Sequence, residues 1–156
     1  MSWIETDSIT TTITTKLSDA TVGGTWSTTS PGVSVVAGTG VVTGVASGVP
    51  TISYVLTTTG CYATKPVTVN PNPASISGTP VACVGSTTTL TNTSLGGTWT
   101  SGNTSIATVS SAGVVTPVGV GTVNIYYTTP GGCSGSFTIT VTSGAVVSGS
   151  SSVCAG

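Results

Sequence analysis

Along residues 122–127 apolar and polar side chains alternate, so that Val123, Ile125 and Tyr127 fall on one face of an extended chain and Thr122, Asn124 and Tyr126 on the other. A period of two marks a strand with one buried face, which assigns Val123, Ile125 and Tyr127 to a core. Similar short runs, broken by clusters of Gly, Pro, Asn and Ser, predict strands at 74–77, 87–92, 98–101, 106–110, 114–118, 122–127 and 136–141. No stretch carries a helical period. About seven strands in about 70 residues, with turn signals every 8–12 residues or so, is the pattern of a small antiparallel β-sandwich.

The pattern occurs twice. Gly23-Gly24-Thr25-Trp26 returns 73 residues later as Gly96-Gly97-Thr98-Trp99, and Gly40-Val41-Val42-Thr43 returns as Gly113-Val114-Val115-Thr116. Ile52 and Tyr54 match Ile125 and Tyr127 at the same offset, and Cys61 matches Cys133 at 72. A third copy opens as Ala145-Val146-Val147-Ser148-Gly149, repeating Ala74-Ser75-Ile76-Ser77-Gly78, and Cys154 then repeats Cys83. A fixed period of this kind means that each repeat is one structural unit. We therefore expect all-β, tandem sandwiches at residues 1–71 and 72–142, with 143–156 either the first strand of a third repeat or a strand donated elsewhere. Trp26, Trp99, Tyr54, Tyr127, Ile52 and Ile125 are the expected core, because sandwiches this small need aromatic area.

Charge changes the picture. Only 3% of residues are charged, and the five that exist are Glu5, Asp7, Lys16, Asp19 and Lys65; from 66 to 156 only tyrosine and cysteine can ionise. A net charge of −1 supplies no basic stripe, which excludes nucleic acid and anionic membrane surfaces as partners. Mean hydropathy is +0.46, the opposite of the polar, charged composition of disordered chains. No apolar run reaches the roughly 20 residues of a spanning helix, so membrane insertion is not expected. Met1-Ser2-Trp3 does not open a secretory signal, so an exported chain has lost its leader or belongs to something longer.

The second repeat resembles the bacterial immunoglobulin-like repeats of group 2. The residues that carry the resemblance are Gly96-Gly97-Thr98-Trp99-Thr100-Ser101, Asn103-Thr104-Ser105-Ile106-Ala107-Thr108-Val109, Gly113-Val114-Val115-Thr116 and Gly119-Val120-Gly121-Thr122-Val123-Asn124-Ile125. The first repeat keeps the first and third of these and replaces the second by Pro31-Gly32-Val33-Ser34-Val35-Val36. The cysteines in Val-Ala-Cys-Val-Gly and Gly-Gly-Cys are similar to those of cysteine-bearing versions in very long secreted proteins of the Bacteroidetes type. The resemblance implies an extracellular or cell-surface role as spacer, stalk, adhesin or filament, and carries over no catalytic residue.

Four cysteines in a chain without histidine do not form a zinc pattern, since Cys-x-x-Cys is absent; disulfides in an oxidising compartment are the better reading. Cys83 precedes the second predicted strand of repeat two and Cys133 precedes its last, so a Cys83–Cys133 bond within the module is expected, contributing about 4 kcal/mol on the chain-entropy estimate. Cys61 lacks a partner in repeat one, where the matching position falls near Thr10, and Cys154 lacks the rest of its repeat. Two readings follow. In one, the tail 144–156 docks on repeat one of the next copy by strand addition, giving a head-to-tail homopolymer with a Cys61–Cys154 bond. In the other, the sequence is a window on a longer array, Cys154 pairs inside a third module, and Cys61 stays free or bonds elsewhere.

The chain has no histidine, three acidic side chains and two lysines, which leaves its many Ser and Thr hydroxyls without a base; we expect no catalytic site, no cofactor and no metal site. A surface of Ser and Thr without charge offers little resistance to lateral packing and suits a fibre. Asn92 and Asn103 match the N-glycan acceptor pattern, and Asp7-Ser8-Ile9 resembles an O-glycan acceptor. The alternative to a structural protein is an adhesive module that takes a glycan or cell-surface ligand on its end loops, where Trp3 and Tyr62 are the candidate contacts.

Overall fold

β-Branched Val, Ile and Thr fill the extended segments, and in the computed structural model, which describes residues 8–10 as backbone and residues 14–144, the chain is all-β. It forms two compact units. The first runs to Ala74 and takes in the loops Ser94–Gly97 and Thr128–Gly135; the second holds Ser75–Thr93, Thr98–Tyr127 and the chain from Ser136 onward.

The first unit contains β1 (Ser8–Thr10), β2 (Thr14–Lys16), β3 (Gly24–Ser27), β4 (Val33–Val35), β5 (Val41–Gly44), β6 (Thr51–Leu56), β7 (Tyr62–Pro66) and β8 (Thr68–Asn70). Two antiparallel sheets, ordered β2-β5-β4 and β3-β6-β7, enclose one core. Leu17, Val33 and Val42 come from the side of the first sheet, Trp26, Ile52 and Tyr54 from the second, and Val67 and Val69 complete the cluster. Each fully buried aliphatic side chain of this kind stabilises the fold by about 1.5–3 kcal/mol.

The second unit repeats the plan with β9 (Val81–Cys83), β10 (Thr88–Thr89), β11 (Thr98–Ser101), β12 (Ala107–Val109), β13 (Val114–Pro117), β14 (Gly121–Thr128) and β15 (Ser134–Thr142). The sheets are β10-β13-β12 and β11-β14-β15-β9. Ala82, Leu90, Ala107, Val115, Val123, Ile125, Ile139 and Val141 form its core, and the alternating burial of β14 puts Val123, Ile125 and Tyr127 inside.

The Gly-Val-Val-Thr motif has a local cause. Gly40 (φ +70°) and Gly113 (φ +79°) sit in the left-handed region, and their carbonyls accept from Leu17 N and Leu90 N, each at 2.9 Å. A Cβ on Gly40 would stand 2.5 Å from Leu17 O and 2.8 Å from Trp26 Nε1. The residue must therefore lack a side chain, and the following Val-Val-Thr can then enter β5 or β13 with its second valine buried.

The structure corrects three sequence expectations. Residues 74–77 form no strand: Ser77 makes a single bridge to Thr91, each N–H donating to the other's carbonyl at 2.9 Å. The expected strand at 87–92 shrinks to Thr88–Thr89. The strand that opens the second unit is instead Val81–Cys83, and it runs parallel to β15, with Val81 opposite Thr140 and Cys83 opposite Thr142. The first unit does the same, β1 lying parallel to β8 with Thr10 opposite Asn70. Both units are thus antiparallel in their main sheets; the parallel strand edges a main sheet in the second unit and forms a two-stranded sheet with β8 in the first.

Candidate assembly site

The expected core residues are placed as follows. Ile52 and Ile125 are fully buried, Trp26, Tyr54 and Tyr127 buried, and Trp99 half-buried against the second core. The rings of Trp26 and Tyr54 lie 4.7 Å apart, those of Trp99 and Tyr127 4.8 Å apart, so both repeats hold their tryptophan on the same tyrosine.

Cys61 and Cys133 end matching turns, the second one residue shorter than the first. Leu56 N donates to Cys61 O at 2.8 Å and Gly60 N to Leu56 O at 2.8 Å; Thr129 N donates to Cys133 O at 2.9 Å and Gly132 N to Thr129 O at 2.9 Å. Their surroundings differ. Cys61 is exposed, whereas Cys133 is 1% exposed, its thiol 3.7 Å from the carbonyl oxygen of Asn70, to which it donates. Asn70 Nδ2 donates to Gly131 O at 3.1 Å beside it. All of these residues belong to the first unit, which includes the Thr128–Gly135 loop.

Cys83 ends β9 and is exposed, with Sγ 3.5 Å from Thr142 Oγ1. The next residue, Val84, donates its N–H to Thr142 O at 3.0 Å, so that this carbonyl points toward the β9 edge. Cys61, Cys83 and Cys133 are all free thiols, and the expected Cys83–Cys133 bond is not formed. Its obstacle is the place where β9 pairs along β15. Because β9 pairs with Thr140–Thr142, Cys83 lies at the Thr142 end, while Cys133 immediately precedes Ser134 at the other. The nine residues of β15 span about 30 Å at about 3.3 Å each, against the roughly 7 Å between Cα atoms that a disulfide tolerates. Cys154 and Trp3 lie outside the described residues, as does the segment 145–156.

Sequence reasoning missed Asn70 and Thr142. Both are the last paired residue of the strand that carries the parallel edge, opposite Thr10 and Cys83 respectively, and they stand 72 residues apart. The repeat offset was the signal that could have found them.

Among the other expected contacts, Tyr62 is 71% exposed rather than packed beside Cys61. A shallow cleft of about 300 Å³ lies among the end loops of the first unit, lined by Ser30, Pro31, Gly32, Ser47, Val49 and Pro50. The Asn103 side chain accepts from Ser105 N at 3.0 Å, an Asx turn that starts the approach to β12. Among the described residues no helix is long and apolar enough to cross a membrane, and no three His, Cys, Asp or Glu side chains converge.

This geometry defines a class: immunoglobulin-like β-sandwich modules in tandem. No protein-family model and no curated protein matches the sequence. Among solved structures, the C-terminal 282-residue fragment of intimin, in complex with the translocated intimin receptor (Tir) intimin-binding domain, matches with TM-score 0.54 at 20% identity, over 90% of this chain and 64% of its own; that likeness is one of fold. An EHEC O157:H7 intimin mutant aligns at 33% identity over 39% of this chain and 34% of its own, with TM-score 0.36. Domains 1–6 of the surface layer protein SbsC align at 22% identity over 84% of this chain and 22% of theirs, with TM-score 0.33. The chain spans about a third of the length of one intimin chain and just under two thirds of the other.

Proposed function

We propose that this chain is an extracellular structural repeat protein, a subunit or segment of a surface filament or stalk that assembles head to tail. The observation that carries the reading is the unequal fate of two matching turns. The thiol of Cys133 lies on Asn70 O and is buried, whereas Cys61, in the matching turn of the first repeat, is open. A module of another copy seated on the Cys61 turn covers that site and continues the array. The uncharged sequence from 66 to 156 favours such contacts, since no like charges oppose them. Sedimentation velocity of the full chain tests the reading: species growing stepwise with concentration support it, and a single monomer at all concentrations contradicts it.

A second reading, an adhesive module for a glycan or cell-surface ligand, draws on the exposed ring of Tyr62 and on the intimin fragment solved in complex with a receptor domain. Saturable binding of the isolated chain on a glycan array or to whole cells would favour it.

A further inference from the structure

The geometry points to a disulfide between modules rather than within them: Cys83 of one copy bonds Cys61 of the next copy downstream. The inference rests on the head-to-tail reading and adds the covalent link that makes each contact permanent.

Three observations carry it. Within the first unit, the turn thiol of Cys133 lies on the carbonyl of Asn70, the residue opposite Thr10 in the parallel edge. Thr142 holds the same place in the second module, and its carbonyl points at the β9 edge, where it accepts from Val84 N. Cys83 occupies that edge, its Sγ 3.5 Å from Thr142 Oγ1. A downstream turn seated on Thr142 as Cys133 is seated on Asn70 therefore brings its own thiol beside Cys83. In a second copy of this chain that thiol is Cys61, which is exposed, as is Cys83.

Each bond forms by thiol–disulfide exchange with a protein disulfide of the export compartment. The two Sγ–H groups lose their protons, one Sγ–Sγ bond forms, and the donor disulfide takes up the two electrons and becomes a dithiol.

The test mixes isotopically heavy and light full chains under oxidising conditions, digests them without reductant at acid pH, where thiolate exchange is suppressed, and identifies linked peptides by mass. The expected result is a Cys61–Cys83 peptide that joins heavy to light chain and disappears in C83S. Assemblies that lack it, or that link Cys61 to Cys154, overturn the pairing and leave the head-to-tail reading standing. Absence of any assembly overturns both. A second variant, T10C, probes the geometry in a single chain: an internal bond to Cys133 is expected, and a folded T10C chain with both thiols free under the same oxidant overturns the rule.

Discussion

Tyr54 holds Trp26 in place from two directions. Its ring lies 4.7 Å from the indole, and its hydroxyl donates to Thr21 O at 2.8 Å and accepts from Gly24 N at 3.0 Å, tying down the chain that leads into β3. Removing the hydroxyl in Tyr54→Phe strands a carbonyl and an N–H, and urea unfolding is expected to show a loss of about 1–2 kcal/mol.

The two tryptophans are equivalent in place but not in burial. Trp26→Ala empties a buried site and is expected to cost about 3–5 kcal/mol, while Trp99→Ala, at a half-buried site, costs about 2 kcal/mol. Urea titrations of the two variants followed by circular dichroism measure the difference; equal losses would contradict the placement.

Gly40 and Gly38 are neighbours with opposite expectations. Gly40→Ala drives a Cβ against Leu17 O and the Trp26 ring at a positive φ and is expected to lower stability by about 2–4 kcal/mol. At Gly38 a Cβ meets nothing within 4 Å, so Gly38→Ala is neutral or stabilising by up to about 1 kcal/mol. Thermal melts of the two variants check the sign of each.

The alternation of β14 was fully legible because a half-buried antiparallel strand writes its two faces into the sequence as Val123, Ile125 and Tyr127 against Thr122, Asn124 and Tyr126. The edge strand Val81–Cys83 was not, since three residues with only Ala82 buried carry no period to detect. Ala74–Ser77 looked like a better strand and was not one. Where β9 pairs along β15 was invisible for the same reason, and it decided the cysteine chemistry: pairing with Thr140–Thr142 takes Cys83 to the end of β15 remote from Cys133. The repeat offset survived this error because equivalent residues stay equivalent whichever way the edge runs.

Backbone protection tests that edge. The amides of Val84 and Thr140 donate to Thr142 O and Pro80 O, at 3.0 and 2.8 Å, and hydrogen exchange followed by NMR is expected to find both slowed relative to exposed loop amides. Fast exchange at both would mean that β9 does not pair with β15.

Salt is expected to matter little. With no formal charge between residues 66 and 156, screening has few pairs to act on in the second module, and its unfolding midpoint is expected to be nearly constant from low salt to about half-molar sodium chloride. A marked shift would point to ionic contacts that this composition does not supply.

Electron microscopy of the oxidised full chain bears most directly on the account as a whole. Unbranched fibres of copies joined end to end, shortened in C61S, are the predicted result; monodisperse particles of one chain at every concentration, in wild type and C61S alike, would contradict it.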